Sequence, residues 1–541
     1  MVLASLALSA AVAIPGTDSA PAAGGTPMRV LSGWAPYWNP DSGPAGVRAM
    51  GSLASSVSPF AYSVTGATSI GLLAKLDRSG QLRTAARALR LPLIPTLIDE
   101  SGKGTMAAIL ADPMQRQAHV DRLVQLAVDG NFDGLDLDYE VFAFSDGSAT
   151  WATTKPLWTQ FIIELSTALR ARAKMLFVTV PPTYNNSGLR GSGYWVYNLP
   201  GIAPYVDRIR IMAYNYSTST VGPNSPLSWT QKIVDYVAAN LPPSKVELGI
   251  PLYGRDWITG STGTCPVGTK VSGKSTIRTS RAIELAKSKN ATVERLANGE
   301  MRFRYTVPVY APTSSTTTIA ATSSTTTTTE PEITDPAVTD PAATDPATSA
   351  TSSSVPSTTP TNPPLCTVSH TVYYPDAGSS LQKLQQALDA GLAGVTFFAV
   401  GYEEARHYSS LRGPALRVRR APGTNPIGAW RITSPSGGVV RVSGWALDPE
   451  TSLPIVVRIT VNGRTVSRVL ANGERSDIAA RYPGNGPFHG ASVDLPLSRG
   501  RHRICVQALG IGAGRSVRTL ACRTLRIAAP PATTTTTTVV I

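Results

Sequence analysis

The sequence has few charged residues, few histidines and no long apolar run. Charged residues make up only 16% of the 541 residues, against roughly 25% in ordinary soluble domains. No internal segment reaches the roughly 18 apolar residues of a membrane-spanning helix, which excludes a span from the body of the chain. The five histidines are scattered, which argues against a His-rich metal site and a His-based catalytic triad. We therefore expect neither a metal nor a cofactor.

The net charge of +14 is confined to one part of the chain. Residues 1–404 hold 30 Lys and Arg against 30 Asp and Glu, whereas residues 405–528 hold 19 Arg against five acids. A nucleic-acid-binding protein is not expected from this distribution. Two interpretations remain equally open: the basic segment adheres to an anionic surface such as a cell wall, or it is an Arg-rich surface that is merely well solvated.

Export is the favoured interpretation of the N-terminus and the cysteines. Residues 1–27 contain an apolar stretch followed by small residues, as a signal peptide does, although the basic n-region is missing. The alternative is a disordered Ala-rich tail. The four cysteines fall into two plausible disulfide pairs, Cys265 with Cys366 and Cys505 with Cys522. Disulfides indicate an oxidising compartment, so we expect a secreted, extracellular or envelope-associated protein.

Two segments are of low complexity. Residues 312–364 are almost all Thr, Ser, Pro and Ala, and residues 529–541 form a Thr-rich tail. Such composition cannot bury a core, so we expect disordered, solvated chain there.

Most of the chain, residues 28–411, alternates β-like runs with helical patterns. The β-like runs are 30–37, 57–64, 92–98, 132–140, 175–181, 207–214, 246–253 and 393–400. This alternation predicts a parallel α/β fold. Residues 29–404 without the segment 256–390 number 241, near the ~250 of a (β/α)8 TIM barrel. The sequence thus predicts such a barrel, with an insertion between strands seven and eight that carries the Thr-rich tract.

The C-terminal residues 425–528 have a different pattern. Short alternating runs are separated by turn residues, and no helical period is present. This predicts an all-β sandwich with an internal disulfide.

One run of the barrel, residues 132–140, concentrates acidic side chains. Alternate residues of a strand share a face, so Asp136, Asp138 and Glu140 point one way and apolar residues point the other. The apolar set packs on helices, which places the acids in the barrel interior and Glu140 at its C-terminal mouth. The alternative is a surface strand with solvated acids. We disfavour it because the opposite face is already apolar.

This run, FDGLDLDYE, resembles the D-x-x-D-x-D-x-E signature of family 18 glycoside hydrolases, the chitinase-like barrels. Three further runs resemble that family: 211–215, 248–255 and 394–403. The likeness covers about residues 29–404 and is nearest in style to the bacterial branch of spore-germination and cortex-lytic hydrolases. Within the signature, Asp133 and Gly134 are expected to be structural. The C-terminal unit more weakly resembles a β-sandwich module of secreted actinobacterial enzymes.

The resemblance implies a role for each acid. Glu140 would protonate the glycosidic oxygen, and crowding by like charges would keep it protonated near neutral pH. The substrate's own 2-acetamido oxygen would attack the anomeric carbon, with retention of configuration. Asp138 would hold the acetamide N–H and share a proton with Asp136, and Tyr214 would bind the acetamide carbonyl.

Two residues depart from the family pattern. Asn215 stands where Asp is usual, and Phe398 stands where a Trp usually floors the sugar site. Both are expected to bind substrate, as are Trp34, Tyr253 and Arg255. Other aromatic residues near strand ends could line a cleft, and we expect at least two or three of the set to do so: Trp34, Tyr37, Trp38, Tyr184, Tyr216 and Trp257.

The function expected from the sequence is hydrolysis of β-1,4-linked N-acetylglucosamine polymers, either chitin or peptidoglycan glycan strands. One alternative is a catalytically weak or inactive carbohydrate-binding protein, which the changes at Asn215 and Phe398 favour. Another is a wall-associated adhesion protein, which leaves the acids unexplained. The choice between endo and exo cleavage stays open.

Overall fold

The computed structural model describes residues 26–73, 80–189, 191–311, 363–418, 420–436 and 439–527. Its N-terminal part is a barrel of eight parallel strands. The first seven are β1 (Leu31–Pro36), β2 (Ser58–Val64), β3 (Thr96–Asp99), β4 (Gly134–Asp138), β5 (Met175–Val180), β6 (Arg208–Met212) and β7 (Val246–Pro251). An insertion contributes β8 (Tyr253–Gly263), β9 (Gly273–Arg278), β10 (Met301–Val309) and β11 (Cys366–Tyr374), and the last barrel strand is β12 (Gly394–Phe398).

The barrel closes because β1 pairs with both β2 and β12. Trp34 lies opposite Phe398 on one side and opposite Ser58 on the other. The remaining neighbours follow in chain order, each pair parallel. The strands are buried on both faces, as expected for a parallel sheet that is surrounded by helices.

Helices cover the outside of the barrel. They are Ser42–Met50, Gln81–Ala88, Thr105–Ala111, Pro113–Asp129, Trp151–Arg170, Leu199–Ile202, Leu227–Asn240, Ala377–Asp389 and His407–Val418. Helix Pro113–Asp129 shows why they begin where they do: the carboxylate of Asp112 accepts hydrogen bonds from the free amides of Met114 and Gln115, and proline occupies the first turn. Its buried face includes Val120 and Leu123, as the sequence period predicts.

The insertion is a small α+β unit. Strands β8 to β11 and the short strand Glu294–Arg295 form an antiparallel five-stranded sheet, and helix Thr279–Ser288 packs on it. The Cys265–Cys366 disulfide is formed beside this sheet. Helix Ala377–Asp389, which follows the insertion, belongs to the barrel wall.

The C-terminal part consists of two antiparallel sheets. Sheet one contains Ile427–Ser436, Val439–Leu447, Phe488–Pro496 and the short strand Gly473–Glu474, and sheet two contains Arg464–Leu470, Val456–Val461, Gly500–Leu509 and Val517–Ile527. A separate core of branched aliphatic residues fills the space between them. The Cys505–Cys522 disulfide joins directly opposed residues of sheet two. A short helix, Ser476–Arg481, completes the unit.

The sandwich packs against the N-terminal end of the barrel strands. Leu453 and Leu470 join Ile94, Met175 and Phe177 in one apolar cluster. Polar contacts surround it: Arg29 pairs with Glu450, and Asn472 donates to Asp207. The opposite, C-terminal mouth of the barrel is left for the site.

The predicted barrel, its insertion, the all-β C-terminal part and both disulfide pairs are confirmed. The expected signal peptide, the Thr-rich tract and the Thr-rich tail lie almost entirely outside the described residues. Within the described residues no helix is long and apolar enough to cross a membrane.

Candidate active site

The acidic run lies where strand parity predicts it. Leu135 and Leu137 are buried in the core outside the barrel. Tyr139 faces the same way, and its hydroxyl contacts Nε2 of His119 at 2.9 Å. Burial lowers the pKa of His119 to about 4, so this imidazole is neutral and supports the outer face of β4. The acids alternate with these residues and face the interior.

Asp136 is enclosed by donors from four strands. Its Oδ2 accepts hydrogen bonds from the Trp34 indole at 3.0 Å and the Thr96 hydroxyl at 2.9 Å. The same oxygen lies 3.0 Å from the Arg210 guanidinium. Its Oδ1 accepts from Thr179 at 2.8 Å. Every donor is itself buried, so this carboxyl group is fixed in place before any substrate arrives.

Asp138 stands next along the strand, in different surroundings. Among the described residues its Oδ1 is buried without a hydrogen-bond partner. Burial, followed by the nearby Glu140 and Asp136, raises the pKa of Asp138 well above its ordinary value. A buried carboxyl group with an unsatisfied oxygen at the base of a mouth is available for a ligand hydrogen bond.

Glu140 lies two residues beyond Asp138, after the end of β4. Its side chain is half-buried, whereas the two carboxyl groups below it are buried. The turn that follows is anchored on its carbonyl oxygen, which accepts from the amides of Ala143 and Phe144 at 3.0 and 2.9 Å. Of the three acids, Glu140 is the one that solvent or a substrate can reach.

A hydrogen-bonded group after β6 forms the next part of the mouth. The side-chain oxygen of Asn215 accepts from the Tyr253 hydroxyl at 2.7 Å and from Arg255 at 2.9 Å. Tyr214 is nearly buried beside them. Burial, then Tyr253 and the acids of β4, raise its pKa well above 10.0, so its hydroxyl stays protonated and can donate.

Phe398 occupies the centre of the mouth. Its ring centroid lies 5.7 to 6.3 Å from five other aromatic rings, those of Trp34, Trp38, Phe60, Tyr214 and Tyr253. These contacts leave only 6% of the side chain exposed. The structure therefore places an apolar ring next to Tyr214, where a sugar ring could pack.

The other expected residues divide into two groups. Trp34 is 1% exposed and donates to Asp136, so it supports the acids and does not line a cleft. Trp257 is also buried. Tyr216, in contrast, is 53% exposed and packs on Trp229, which the sequence analysis did not assign to the site. Trp229 in turn donates to the Tyr184 hydroxyl, so these rings form an aromatic wall beyond β6.

Asp133 and Gly134 lie at the opposite end of β4 from Glu140. Asp133 accepts from the backbone amide of Leu93 at 2.9 Å. A Cβ atom on Gly134 would stand 2.3 Å from the carbonyl oxygen of Met175, so the spacing of β4 and β5 requires glycine here.

A buried ion cluster below the acids was not predicted from the sequence. Arg210 contacts Glu247 at 3.1 Å as well as Asp136, and Arg208 contacts the second oxygen of Glu247 at 3.3 Å. All four side chains are at most 2% exposed. In the described part of the chain, no group of His, Cys, Asp and Glu is arranged to hold a metal ion.

The structure is a closed (β/α)8 barrel with a strand of three acids that become more accessible towards its C-terminal mouth. This combination defines a class of barrel hydrolases. The comparison with family models names the family: residues 99–403, more than half of the chain, match the glycosyl hydrolases family 18. The chain belongs to this family, as its motifs predict.

Individual relatives agree with this assignment. The Bacillus subtilis protein named "Putative sporulation-specific glycosylase YdhD" is 27% identical over 211 residues, covering 38% of this chain and 47% of YdhD. Mouse chitotriosidase-1 is 30% identical over 188 residues, covering 30% of this chain and 39% of that protein. The chain thus matches about half or less of each relative's length. The Chromobacterium violaceum chitinase structure shares the fold, with a TM-score of 0.52 at 17% identity, covering 73% of this chain and 100% of that one.

Proposed function

We propose that this protein is a secreted glycosidase that cleaves β-1,4-linked N-acetylglucosamine polymers. The observation that carries the proposal is that the three acids of this run differ in their surroundings. Both oxygens of Asp136 are hydrogen-bonded, Asp138 is buried with one unsatisfied oxygen, and Glu140 is accessible. Family membership supplies the class of reaction, glycoside hydrolysis. The two disulfides fit an oxidising compartment.

The proposed mechanism uses the substrate as its own nucleophile. Glu140 gives its proton to the glycosidic oxygen while the bond to the anomeric carbon breaks. The acetamido oxygen forms a bond to that carbon. Asp138 accepts a hydrogen bond from the acetamide N–H and stabilises the resulting cation. Water then attacks the anomeric carbon, the bond from that carbon to the acetamido oxygen breaks, and a proton of the water returns to Glu140. Two successive displacements at this carbon retain its configuration.

The remaining residues hold the sugar in the reactive position. Tyr214 keeps its proton and donates to the acetamide carbonyl. Phe398 offers its face to the sugar ring, and Asn215 is oriented by Tyr253 and Arg255. Neither Asn215 nor Phe398 replaces the proton donor, so we favour an active enzyme over a carbohydrate-binding protein.

Chitin and peptidoglycan strands both contain the required sugar. The name of chitotriosidase-1 points to chitin, whereas the name of YdhD points to a glycosylase of sporulation. Charge favours an anionic polymer: sheet two of the sandwich exposes Arg468, Arg501, Arg503 and Arg526 on its outer face, with Arg458 half-buried among them. We propose that this face, the arginine face, holds the enzyme on an anionic cell-wall surface.

The acidic residues of the sandwich leave the arginine face uncompensated. Of the five acids of the sandwich, Asp448 and Glu450 are buried near the barrel, and Glu474 lies on the short strand of sheet one. Asp477 and Asp494 pair with Arg475 and Arg441 away from this face. Within the described residues none of the five arginines of the face has a salt-bridge partner. A polyanion would supply the negative charge that the arginine face lacks.

Substitution of the proton donor tests the proposed mechanism. Glu140→Gln keeps the size of the side chain but cannot protonate the leaving group, so turnover should fall by about three orders of magnitude. Binding of the oligosaccharide should be kept. Glu284→Gln is the matched control, since Glu284 is exposed on a helix of the insertion. Chitin oligomers and peptidoglycan are each incubated with the variants, and mass analysis measures the fragments. Hydrolysis by Glu140→Gln at the wild-type rate would exclude this mechanism.

A further inference from the structure

The turn that follows β6 carries two residues of the mouth, Tyr214 and Asn215. Asn215 has a φ of 64°, in the left-handed region that is unfavourable for residues other than glycine, although asparagine tolerates it better than most. Such a backbone conformation persists only where the surrounding structure holds it in place. The groups that hold this turn therefore decide where both side chains stand.

Asn224 and Ser225 hold the turn at three places. The hydroxyl of Ser225 donates to the carbonyl oxygen of Ala213 at 2.6 Å. The side-chain oxygen of Asn224 accepts from the amide of Asn215 at 2.8 Å, and its backbone carbonyl accepts from the amide of Tyr216 at 2.9 Å. Asn224 and Ser225 are both fully buried, so these hydrogen bonds form in surroundings of low polarity, which strengthen them.

The side chain of Asn224 also reaches Tyr253. Its amide group donates to the carbonyl oxygen of Tyr253 at 2.8 Å, and the Tyr253 hydroxyl donates to the side chain of Asn215 at 2.7 Å. Because a backbone amide only donates and a carbonyl oxygen only accepts, these two partners fix the orientation of the Asn224 side chain. One buried asparagine thus sets the spacing between the backbones of Asn215 and Tyr253.

Glu300 of the insertion holds Asn224 and Ser225 in turn. It lies immediately before β10, and its two carboxyl oxygens accept from the backbone amides of Asn224 at 2.9 Å and Ser225 at 2.5 Å. Glu300 is fully buried. Burial raises its pKa, and the charge of Lys383 and the two amides oppose this shift.

Lys383 lies on the barrel helix that follows the insertion. Its side chain is buried, and among the described residues its ammonium nitrogen has no hydrogen-bond partner. A buried charge is strongly unfavourable unless another charge compensates it. Lys383 therefore serves as the counter-charge of Glu300, a role that can be separated by mutation from the hydrogen bonds of Glu300 to the turn.

We propose that Asn224 and Glu300 are positioning residues of the active site. Glu300 fixes Asn224, and Asn224 fixes the turn after β6, so that the side chains of Tyr214 and Asn215 meet the reacting sugar. The insertion thus contributes to turnover through a residue that no substrate touches. The effect on turnover rests on the proposed function, whereas the holding of the turn does not.

The first test separates kcat from KM on an N-acetylglucosamine oligomer. Asn224→Ala removes the bonds to Asn215 and Tyr253, so kcat should fall about ten- to a hundredfold, because misplaced groups at the reacting sugar cost about that much. KM should change less than about threefold, since the rest of the mouth still binds the oligomer.

Asn485→Ala is the matched control for this test. Asn485 is also buried and also bonds backbone carbonyls, those of Asp448 and Thr451, but it lies in the sandwich. This variant should lose stability and keep its kcat. Equal kcat values for folded Asn224→Ala and Asn485→Ala would overturn the proposal. Glu300→Gln, a milder change, carries the test if Asn224→Ala does not fold.

The second test separates turnover from stability. Glu300→Gln turns an NH2 group towards one of the two backbone amides and leaves Lys383 without its counter-charge, so kcat and the melting temperature should both fall. Adding Lys383→Met restores the balance of charge but not the hydrogen bond. The double variant should regain much of the melting temperature while kcat stays about tenfold or more below the wild type. Recovery of kcat together with the melting temperature would overturn the proposal.

Hydrogen exchange of the turn gives a readout that needs no activity. Exchange in residues 213–216 is followed by mass spectrometry in full-length wild type, Glu300→Gln and Asn485→Ala. The proposal predicts faster exchange in Glu300→Gln and wild-type exchange in Asn485→Ala. Unchanged exchange in Glu300→Gln would overturn it. A wild type that cleaves no N-acetylglucosamine polymer would instead count against the proposed function, and exchange would still decide whether Glu300 holds the turn.

Discussion

At the scale of single residues, three carboxyl groups on one strand differ because their neighbours differ. Asp136 receives four donors, Asp138 has an unsatisfied buried oxygen, and Glu140 emerges beyond the strand end. Burial and like charge raise the pKa of Asp138. The same backbone period thus produces three chemically distinct acids.

Asn215 gives a prediction at this scale. Asn215→Asp should fold normally, because the new carboxylate keeps the bonds from Tyr253 and Arg255. Its added negative charge disfavours deprotonation of nearby groups, so the basic limb of the kcat profile should move to higher pH. Asn462→Asp is the control, because it makes the same change at a similar left-handed position in the sandwich. A basic limb that stays in place would contradict the assumed closeness of Asn215 to the proton donor.

The residue-level site shows what strand parity can predict and what it cannot. Parity placed the acids inside because the alternate residues were apolar. It did not assign Arg210, since a run with Arg208 and Arg210 alternating with isoleucines also suits a strand with one solvated face. Parity also does not give depth along a strand, which is why Trp34 was expected in the cleft and lies below it, bonded to Asp136.

At the scale of elements, a loop of the sandwich, residues 448–453, contacts the bottom of the barrel. Glu450 pairs with Arg29, and Leu453 enters the shared apolar cluster. Asp448 is wholly buried and accepts from the amides of Glu450 and Ile511. Desolvation by burial dominates, and raises the pKa of Asp448 to about 7.

Asp448 therefore predicts a pH dependence of stability. The folded state binds this proton up to about pH 7, whereas the unfolded state releases it near 3.8. Stability should fall as pH rises between these values, by a few kcal/mol at most (about 1.4 kcal/mol per unit), and then level off. The Asp448→Asn variant should lack this pH-dependent part of the free energy of unfolding. Thermal unfolding of both proteins at pH 4 to 8 checks it, and parallel pH curves would contradict it.

At the scale of the whole molecule, the chain combines a barrel with a basic sandwich fixed to its closed end. The arginine face lies on the sandwich, so it can contact a polymer while the barrel mouth stays free. The fold class, the insertion and the sandwich could be predicted because alternation and turn residues are local features. The packing of the sandwich on the barrel could not, since it depends on long-range contacts such as the apolar cluster that includes Leu453 and Met175.

The arginine face predicts salt-dependent retention. A triple variant of Arg501, Arg503 and Arg526 to Gln should bind purified cell walls about ten- to a hundredfold more weakly at low salt, at roughly 1 kcal/mol per arginine. A triple variant of Arg431, Arg441 and Arg475 to Gln loses the same charge elsewhere in the sandwich and should bind more nearly as wild type does. Sedimentation with walls, before and after removal of their anionic polymers, measures the difference. Equal binding by both triple variants would show that only net charge matters.

The dependence of cleavage on the substrate's acetamido group tests the central claim most directly. Rates are measured on a matched series of glucosamine polymers that differ only in their degree of N-acetylation, with a metal chelator present in a parallel set. The account predicts that cleavage falls with acetylation, is absent on fully deacetylated polymer, and is unchanged by the chelator, because the acetamido oxygen is the nucleophile. Efficient cleavage of the fully deacetylated polymer would contradict the account.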